Sequence, residues 1–258
     1  MKKEWQIFLT AVMYYTRIPV GSNIDHAAEK LNQATRYLPF IGWITGAAMA
    51  LLLWAFSFIA PLTICILLSL VLGIWMTGAF HEDGFADMCD GFGGGWTKEK
   101  ILDIMKDSRV GTYGMLGLML LMLTKFFSLE VLPLEKIMLA IAVAHPLSRF
   151  TAATIIYTHT YVRENEDSKA KPLAKGITAS SLGIAAIWGL APFIVVTLYL
   201  QHYLLLIIFP ALLLARWYMV RLMQRWIGGY TGDCLGAMQQ VAETIIYLCF
   251  CIVEWKYI

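Results

Sequence analysis

Seven stretches of about twenty almost uninterrupted apolar residues run through this sequence. A helix needs about twenty such residues to cross a hydrocarbon core of about 30 Å, and inside lipid only helices and closed barrels satisfy their own backbone polar groups. The chain is therefore predicted to be an all-α, polytopic membrane helix bundle with about seven transmembrane helices. The predicted spans are 38–60, 62–80, 112–130, 137–157, 181–200, 202–220 and 236–253.

The composition agrees with a membrane protein. Hydrophobic residues make up 59% of the 258 and charged residues only 15%, whereas about one quarter of a soluble domain is charged. No repeat and no polar linker divides the chain, so residues 1–258 are predicted to form one integral membrane domain. Within it, residues 1–37 are predicted to be an interfacial N-terminal helical segment and residues 38–258 the transmembrane bundle.

Basic residues fall almost entirely on one side of the predicted bundle. Of the 20 Lys and Arg residues, 16 lie at the side of the N-terminus, and only Lys136 and Lys256 lie at the other. Because cytoplasmic loops carry the excess of Lys and Arg, Gly94 and Asp233 are predicted to face the cytoplasm and Ile258 the outside. This predicts a multi-pass protein of the cell inner membrane. The net charge of +2 is explained by the same asymmetry, so nucleic acid is not expected as a partner.

An acidic stretch, FHEDGFADMCDGFGGGW, directly follows the second span. Asp83, Asp87 and Asp90 are spaced i, i+4 and i+7, which places them on one face of a helix, while Glu82 points elsewhere. Like charges at this spacing repel unless a cation lies between them. Since ligands that are all oxygen favour a hard ion, the stripe predicts a site for Mg²⁺, with Mn²⁺ as the alternative. Solvated helix-capping aspartates are the competing interpretation.

A second acidic pair follows, with basic residues beside it. Asp103 and Asp107 are spaced i, i+4 in LDIMKDSRVGTYG, next to Lys106 and Arg109. Two carboxylate pairs on consecutive helices are predicted to face each other and hold two metal ions, while the basic side chains meet phosphate oxygens. The glycines of GFGGGW between the two clusters are interpreted as a flexible turn.

Ionisable residues within the predicted spans need a partner or a function. Arg149 is interpreted either as a phosphate contact or as a structural partner, and Lys125 as a residue that snorkels or pairs with Glu130. Glu243 is expected to face the bundle interior. Asp233, in GGYTGDCLG, is interpreted from its sequence context as a helix N-cap, with glycines that allow the backbone to approach a ligand closely.

Two family resemblances follow from these motifs. The pattern DxxDG at 87–91, followed by DxxxD at 103–107, resembles a shortened CDP-alcohol phosphotransferase signature, but it lacks the Ala-Arg after the glycine and its gap is too short. The chain is more similar to the cobalamin synthase family, in six stretches that occur in the same order. These are TRIPV at 16–20, LPFIGWITG at 38–46, FHEDGFADMCDG at 80–91, IMKDSRVGTYG at 104–114, Ser148-Arg149, and GGYTGDCLGA at 228–237.

The second resemblance implies a membrane phosphotransferase of cobalamin (vitamin B12) biosynthesis. Such an enzyme moves cobinamide phosphate from adenosylcobinamide-GDP to α-ribazole or its 5′-phosphate and releases GMP. The implied metal ligands are Asp83, Asp87, Asp90, Asp103 and Asp107. By analogy with the CDP-alcohol enzymes, Asp107 is expected to be the general base, with His81 as its rival. The expected substrate contacts are Lys106, Arg109, Arg149 and Asp233. The other expected partners are the lipid bilayer and, as an option, further copies of the chain in a homo-oligomer.

Two other functions fit parts of the sequence. A CDP-alcohol-type lipid phosphotransferase would use the same paired aspartates, but the missing Ala-Arg argues against it. A cation-coupled secondary transporter would use intramembrane carboxylates and broken helices near the bilayer midplane, whereas the acids of this chain cluster on the predicted cytoplasmic side.

Overall fold

A computed structural model of the chain describes residues 2–21, 28–163 and 176–255. Within these ranges the chain is helical, and no strand beyond a single two-residue bridge is present there. Ile258 and residues 164–175 lie outside the described residues. The helices are α1 Lys2–Tyr15, α2 Ala28–Ala34, α3 Leu38–Phe56, α4 Leu62–Thr77, α5 Phe80–Gly94, α6 Lys98–Ile104, α7 Thr112–Glu130, α8 Leu134–Thr158, α9 Ala179–Leu200, α10 Ile208–Ile227 and α11 Gly232–Trp255.

The predicted membrane bundle is confirmed. Among the described residues, six helical stretches are long and apolar enough to cross a membrane, and the bent pair of α4 and α5 passes the same test when its two helices are counted together. The largest difference from the predicted spans is at the last two helices. There α10 continues to Ile227 and α11 already begins at Gly232, because Gly228, with a φ of 78°, ends one helix in the left-handed conformation that glycine readily adopts.

The second predicted span stops where the acidic helix begins. Gly78 and Ala79 both have positive φ values, 67° and 58°, and α5 leaves α4 at an angle of 88°. A helix that turns by nearly a right angle at the end of a span lies across that end instead of continuing through the membrane. The acidic stretch thus lies at the end of α4, on a helix that does not continue the direction of that span.

The core of the bundle lies around α8 and α11, most of whose residues are buried, while α10 is largely exposed. On α3, Gly42 and Gly46 are one turn apart and face α8. A Cβ atom on Gly42 would lie 2.5 Å from the carbonyl oxygen of His145. Small residues at this spacing let two helices approach closely, which explains the glycines of the LPFIGWITG stretch.

The N-terminal segment is attached to the bundle by apolar packing. Helix α1 has 14 residues and is about 21 Å long, too short to cross a hydrocarbon core of about 30 Å. Its residues Ile7, Ala11 and Tyr15 are buried against Ala34 and Ile41. This agrees with the predicted short N-terminal helical segment.

Candidate functional site

The acidic stripe of α5 has the predicted helical form, and its three members differ in burial. Asp83 is exposed, Asp87 is half-buried and Asp90 is buried. The carboxylate of Asp87 interacts electrostatically with Asp83 and Asp90 and, more strongly, with Asp233 of α11. The structure thus brings together four aspartates, which we call the acidic cluster: Asp83, Asp87, Asp90 and Asp233.

Two glycines make this approach of α5 and α11 possible. A Cβ atom on Gly84 would lie 2.9 Å from the Cα atom of Asp233, and one on Gly236 would lie 3.1 Å from the carbonyl oxygen of His81. Helix backbones can come this close only where neither carries a side chain at the crossing. His81 itself is buried at this contact, with 5% of its surface exposed.

Asp233 has a cationic partner that the sequence analysis did not select. Arg163 Nη2 lies 2.7 Å from Asp233 Oδ2. A parallel bridge holds the segment that follows α8 beside the turn before α11. In this bridge the Val162 amide donates to the Tyr230 carbonyl and the Tyr230 amide donates to the Thr160 carbonyl, each at a distance of 3.0 Å. This pairing places Arg163 at the acidic cluster.

Gly229, four residues before Asp233, serves this bridge. A Cβ atom on Gly229 would collide with the carbonyl oxygen of Thr160, so at this glycine the close approach is made by the chain's own backbone. The interpretation of Asp233 as a helix cap is wrong. Thr231 accepts the hydrogen bond from the Cys234 amide at 3.3 Å, and the Asp233 carboxylate pairs with Arg163 instead.

Asp90 binds the start of α7. Its two carboxylate oxygens accept hydrogen bonds from the backbone amides of Gly111, at 2.7 Å, and Gly114, at 2.8 Å. These amides belong to the positively polarised N-terminus of α7, where a carboxylate is favourable. Both glycines are required by space, because a Cβ atom on either would collide with the carboxylate. The GTYG motif is thereby explained.

We expect Gly114→Ala to lower the free energy of unfolding by about 2 kcal/mol. The added methyl group displaces the Asp90 carboxylate from the amides, and a hydrogen bond to a charged group contributes about 1.5–3 kcal/mol. Thermal unfolding of the purified protein in detergent measures the change. Gly183→Ala is the matched control, because nothing lies within 4 Å of a Cβ atom there. An equal melting temperature for both variants would contradict this account of Asp90.

The environment of Asp87 disfavours its charge. Partial burial, followed by the charges of Asp233 and Asp83, raises the pKa of the Asp87 carboxyl to about 7, although the charge of Arg163 acts in the opposite direction. A carboxylate in this position gains stability from any cation that binds beside it.

The second acidic pair does not form the predicted helical face. Helix α6 ends at Ile104, so only Asp103 is helical and Asp107 lies in the turn before α7. Arg109 donates from Nε and Nη2 to Asp107, with a shortest distance of 2.6 Å. These hydrogen bonds lower the pKa of Asp107 to about 2. Asp103 and Lys106 are exposed.

The glycine-rich stretch between the clusters is more ordered than predicted. Helix α5 continues through Gly94, and the chain reverses only at residues 95–97. A Cβ atom on Gly91 would lie 2.5 Å from Met105 Cγ, and one on Gly95 would lie 2.5 Å from Ile101 Cγ1. These glycines therefore allow α5 and α6 to pack tightly, and the predicted turn begins only at the last of them, Gly95.

A metal ion at the acidic cluster fits the donor chemistry. Among the described residues, no three His, Cys, Asp or Glu side chains are arranged to enclose an ion by themselves. Within the same part of the chain, no hydrogen bond or ion pair occupies the carboxylates of Asp83 and Asp87. Two unengaged carboxylates leave coordination positions to water and phosphate oxygens, which is the arrangement that Mg²⁺ prefers.

A second group of polar residues is buried inside the bundle. We call it the buried polar cluster, and it consists of Lys125, His145, Arg149, Gln239, Gln240 and Glu243. Lys125 Nζ lies 2.6 Å from Glu243 Oε1 and 2.5 Å from Gln240 Oε1. Glu243 faces the interior as predicted, but the alternative pairing of Lys125 with Glu130 is wrong.

Arg149 joins the buried polar cluster. Its side chain is 2% exposed, its Nη1 atom donates to the His145 carbonyl at 2.9 Å, and it lies 4.0 Å from Glu243 Oε2. The structure therefore shows Arg149 as a structural partner, which was one of its two predicted roles. The other role, a contact with phosphate, stays a prediction. Gln240 also donates to Glu82 of α5 at 2.8 Å. Helix α5 is thus attached to the buried polar cluster through Glu82, which lies on a different face from its aspartates.

Comparisons with known proteins show what this chain resembles. The family model described as cobalamin-5-phosphate synthase matches residues 7–251. A protein of Shewanella amazonensis (strain ATCC BAA-1098 / SB2B) named adenosylcobinamide-GDP ribazoletransferase is 43% identical over 256 residues, covering 96% of this chain and 95% of its own. Proteins of the same name from Shewanella sp. (strain ANA-3) and Shewanella frigidimarina (strain NCIMB 400) are 42% and 43% identical, with 97% and 95% of this chain covered and 95% and 94% of their own. No solved structure matches the chain.

Proposed function

Because the chain belongs to the cobalamin-5-phosphate synthase family, we propose that it is an adenosylcobinamide-GDP ribazoletransferase. It transfers cobinamide phosphate from adenosylcobinamide-GDP to α-ribazole or α-ribazole 5′-phosphate. The ribose 3′-hydroxyl oxygen of the acceptor forms the new bond to phosphorus, the bond to GMP breaks, and the hydroxyl proton is released. The observation that carries this proposal is the acidic cluster at one end of the bundle, beside Arg163.

The arrangement suits phosphoryl transfer, which depends on positioning and charge neutralisation more than on covalent catalysis. Asp83 and Asp87 would hold Mg²⁺, and Asp90 keeps spare lone pairs while it binds the start of α7. When bound, Mg²⁺ neutralises charge that develops on the phosphate oxygens. Arg163 Nη2 already contacts Asp233 and presents a cation next to the place where a pyrophosphate would lie.

Lys106, Asp107 and Arg109 lie close together in sequence in the turn before α7. Lys106 and Arg109 are exposed and accessible to a pyrophosphate. Asp107 acts as the general base only after its pair with Arg109 opens, because that pair lowers the pKa of Asp107 to about 2. The rival base, His81, is buried against α11. Substrate that draws Arg109 away would free Asp107 for proton transfer.

We expect Mg²⁺ binding to weaken as the pH falls below about 7. The metal binds the ionised carboxylate, and Asp87 in the metal-free protein has a pKa raised to about 7, so protons compete with Mg²⁺ in this range. Each pH unit below the pKa lowers the apparent affinity by up to about tenfold. Calorimetric titration with Mg²⁺ between pH 6 and pH 8 measures this. An affinity that does not change with pH would contradict the role of Asp87.

The acidic cluster is proposed to face the cytoplasm, because 16 of the 20 basic residues lie on that side. In a cysteine-free background, cysteines placed at positions 94 and 233 are expected to react with a membrane-impermeant maleimide only after the cells are opened. A cysteine at Ile258 is expected to react in intact cells. Labelling of position 94 from the outside would contradict this orientation.

Product analysis tests the function directly. Purified protein in lipid nanodiscs is given adenosylcobinamide-GDP, Mg²⁺ and either α-ribazole or α-ribazole 5′-phosphate as the acceptor, and the release of GMP is measured together with the completed corrinoid. Parallel reactions with a CDP-alcohol donor test the lipid phosphotransferase alternative. Neither that alternative nor the transporter is supported by the relatives, which share one enzyme name over nearly the whole chain. Absence of GMP release with both acceptors would overturn the proposal.

A further inference from the structure

An apolar groove separates α8, α9 and α10 on the outside of the bundle. It has a volume of about 280 Å³ and is lined mainly by leucine and phenylalanine side chains. Leu213 at its edge is 65% exposed, and most of its neighbours on the outer face of α10 are exposed too. The groove therefore opens sideways, toward the lipid. Its lining includes Leu147, Phe150, Leu190, Phe209, Leu212 and Leu213.

One cation, Arg216, lies at the polar end of this groove. Its guanidinium donates to Thr154 Oγ1 at 2.8 Å, to the Thr154 carbonyl at 3.3 Å and to Thr158 Oγ1 at 2.6 Å. All three acceptors are neutral oxygens of α8. Among the described residues, no carboxylate forms an ion pair with Arg216. A half-buried cation without a counter-charge beside it favours an anionic ligand.

The dimensions match one leaflet of a bilayer. From Leu147 to Thr158, α8 rises about 16 Å, which is close to half of a hydrocarbon core of about 30 Å. At this end α8 stops at Thr158, and the chain continues through His159 and Thr160 toward Arg163 and the acidic cluster. An acyl chain lying in the groove would place its phosphate beside Arg216.

We propose that this groove binds one anionic phospholipid, with an acyl chain between α8, α9 and α10 and its phosphodiester on Arg216. The planar guanidinium makes a two-point contact with phosphate oxygens. The cytoplasmic leaflet, which the acidic cluster is proposed to face, is the leaflet rich in anionic lipid. Such a lipid would fix α10 against α8 next to the segment that carries Arg163, and its binding requires no cobalamin substrate.

Native mass spectrometry of the delipidated protein in detergent, titrated with phosphatidylglycerol or phosphatidylcholine, tests the proposal. The wild-type protein is expected to bind phosphatidylglycerol about tenfold more tightly, the effect of one hydrogen-bonded charge contact. Arg216→Gln should abolish this preference. The matched control is Arg221→Gln, because Arg221 lies on the same helix but is exposed over Trp217. Leu213→Trp, which narrows the groove, should weaken the binding of both lipids.

Three results would overturn the proposal. Equal affinity of the wild-type protein for the two lipids would show that no headgroup is recognised, and this comparison does not depend on any variant. Equal losses in the Arg216 and Arg221 variants would show general attraction between charges. A lipid-free dimer in the wild-type spectrum that Leu213→Trp dissociates would show that a second copy of the chain occupies the groove. None of these measurements depends on transferase activity, so the lipid site and the proposed function fail separately.

Discussion

Asp87→Asn is expected to lower the transfer of cobinamide phosphate by about 10²- to 10³-fold, the range found when one charge-stabilising group is removed from an active site. The substitution keeps the shape of the side chain and removes the charge that would hold Mg²⁺. It also relieves the repulsion of Asp87 by Asp233 and Asp83. We therefore expect an unchanged or higher melting temperature together with the loss of activity.

The two readouts separate a functional residue from a structural one. The kcat/KM for GMP release and the melting temperature are measured on the same preparation, at saturating Mg²⁺. Glu99→Gln is the control, because Glu99 is an exposed acid on α6 outside the acidic cluster and its replacement should change neither value. If Asp87→Asn turned over within a few-fold of the wild type, the metal assignment would be wrong.

The features that depend on local sequence were predictable. Hydropathy alone located the six membrane-length helices and α4, because a segment that crosses lipid must be apolar along its whole length. The helical period placed Asp83, Asp87 and Asp90 on one helix, and that helix is present. Family membership was predictable from six motifs, since the family model covers residues 7–251.

The features that depend on contacts between distant residues were not predictable. Arg163 meets Asp233 across 70 positions of sequence because of a bridge between Tyr161 and Tyr230, and no spacing rule indicates that pairing. Asp90 has the same spacing as its neighbours, yet its carboxylate binds the amides of Gly111 and Gly114. The only local signal was the glycines themselves, which mark positions where another group approaches the backbone closely.

The second acidic pair shows the limit of reasoning from periodicity. Asp103 and Asp107 have helical spacing, but α6 ends at Ile104, and Asp107 turns toward Arg109. An Asp two residues before a basic residue in a Ser- and Gly-containing turn forms local hydrogen bonds that compete with continuing the helix. A shared helical face therefore has to be supported by evidence that the helix reaches both residues.

Lys125→Met is expected to lower the free energy of unfolding by about 3–5 kcal/mol, the cost of removing one partner from a buried ion pair. Lys125 and Glu243 lie 2.6 Å apart, with 2% and 5% of their side chains exposed. Without Lys125, the carboxylate of Glu243 stays buried with Gln239 and His145 as its nearest polar contacts, and the remaining cation, Arg149, lies farther away at 4.0 Å. Met fills a similar volume, so the loss reflects charge and hydrogen bonding more than a cavity.

A double-mutant cycle separates this pair from its surroundings. Glu243→Gln alone should also destabilise, because it strands the Lys125 ammonium. The double variant, Lys125→Met with Glu243→Gln, should lose less than the sum of the single losses, by on the order of 2 kcal/mol. Lys98→Met, at an exposed position of α6, is the control for loss of a lysine. Additive losses would show that the two side chains are not coupled in the folded protein.

The same variants decide whether the buried polar cluster takes part in the chemistry. Lys125 contacts Gln240, and Gln240 holds Glu82 on the helix that carries the acidic cluster, so the pair positions α5 without touching substrate. If the cluster acts only through this positioning, the double variant assayed well below its melting temperature should keep kcat within a few-fold of the wild type. A loss of kcat as large as that of Asp87→Asn in a fully folded double variant would instead place the buried polar cluster in the catalytic machinery.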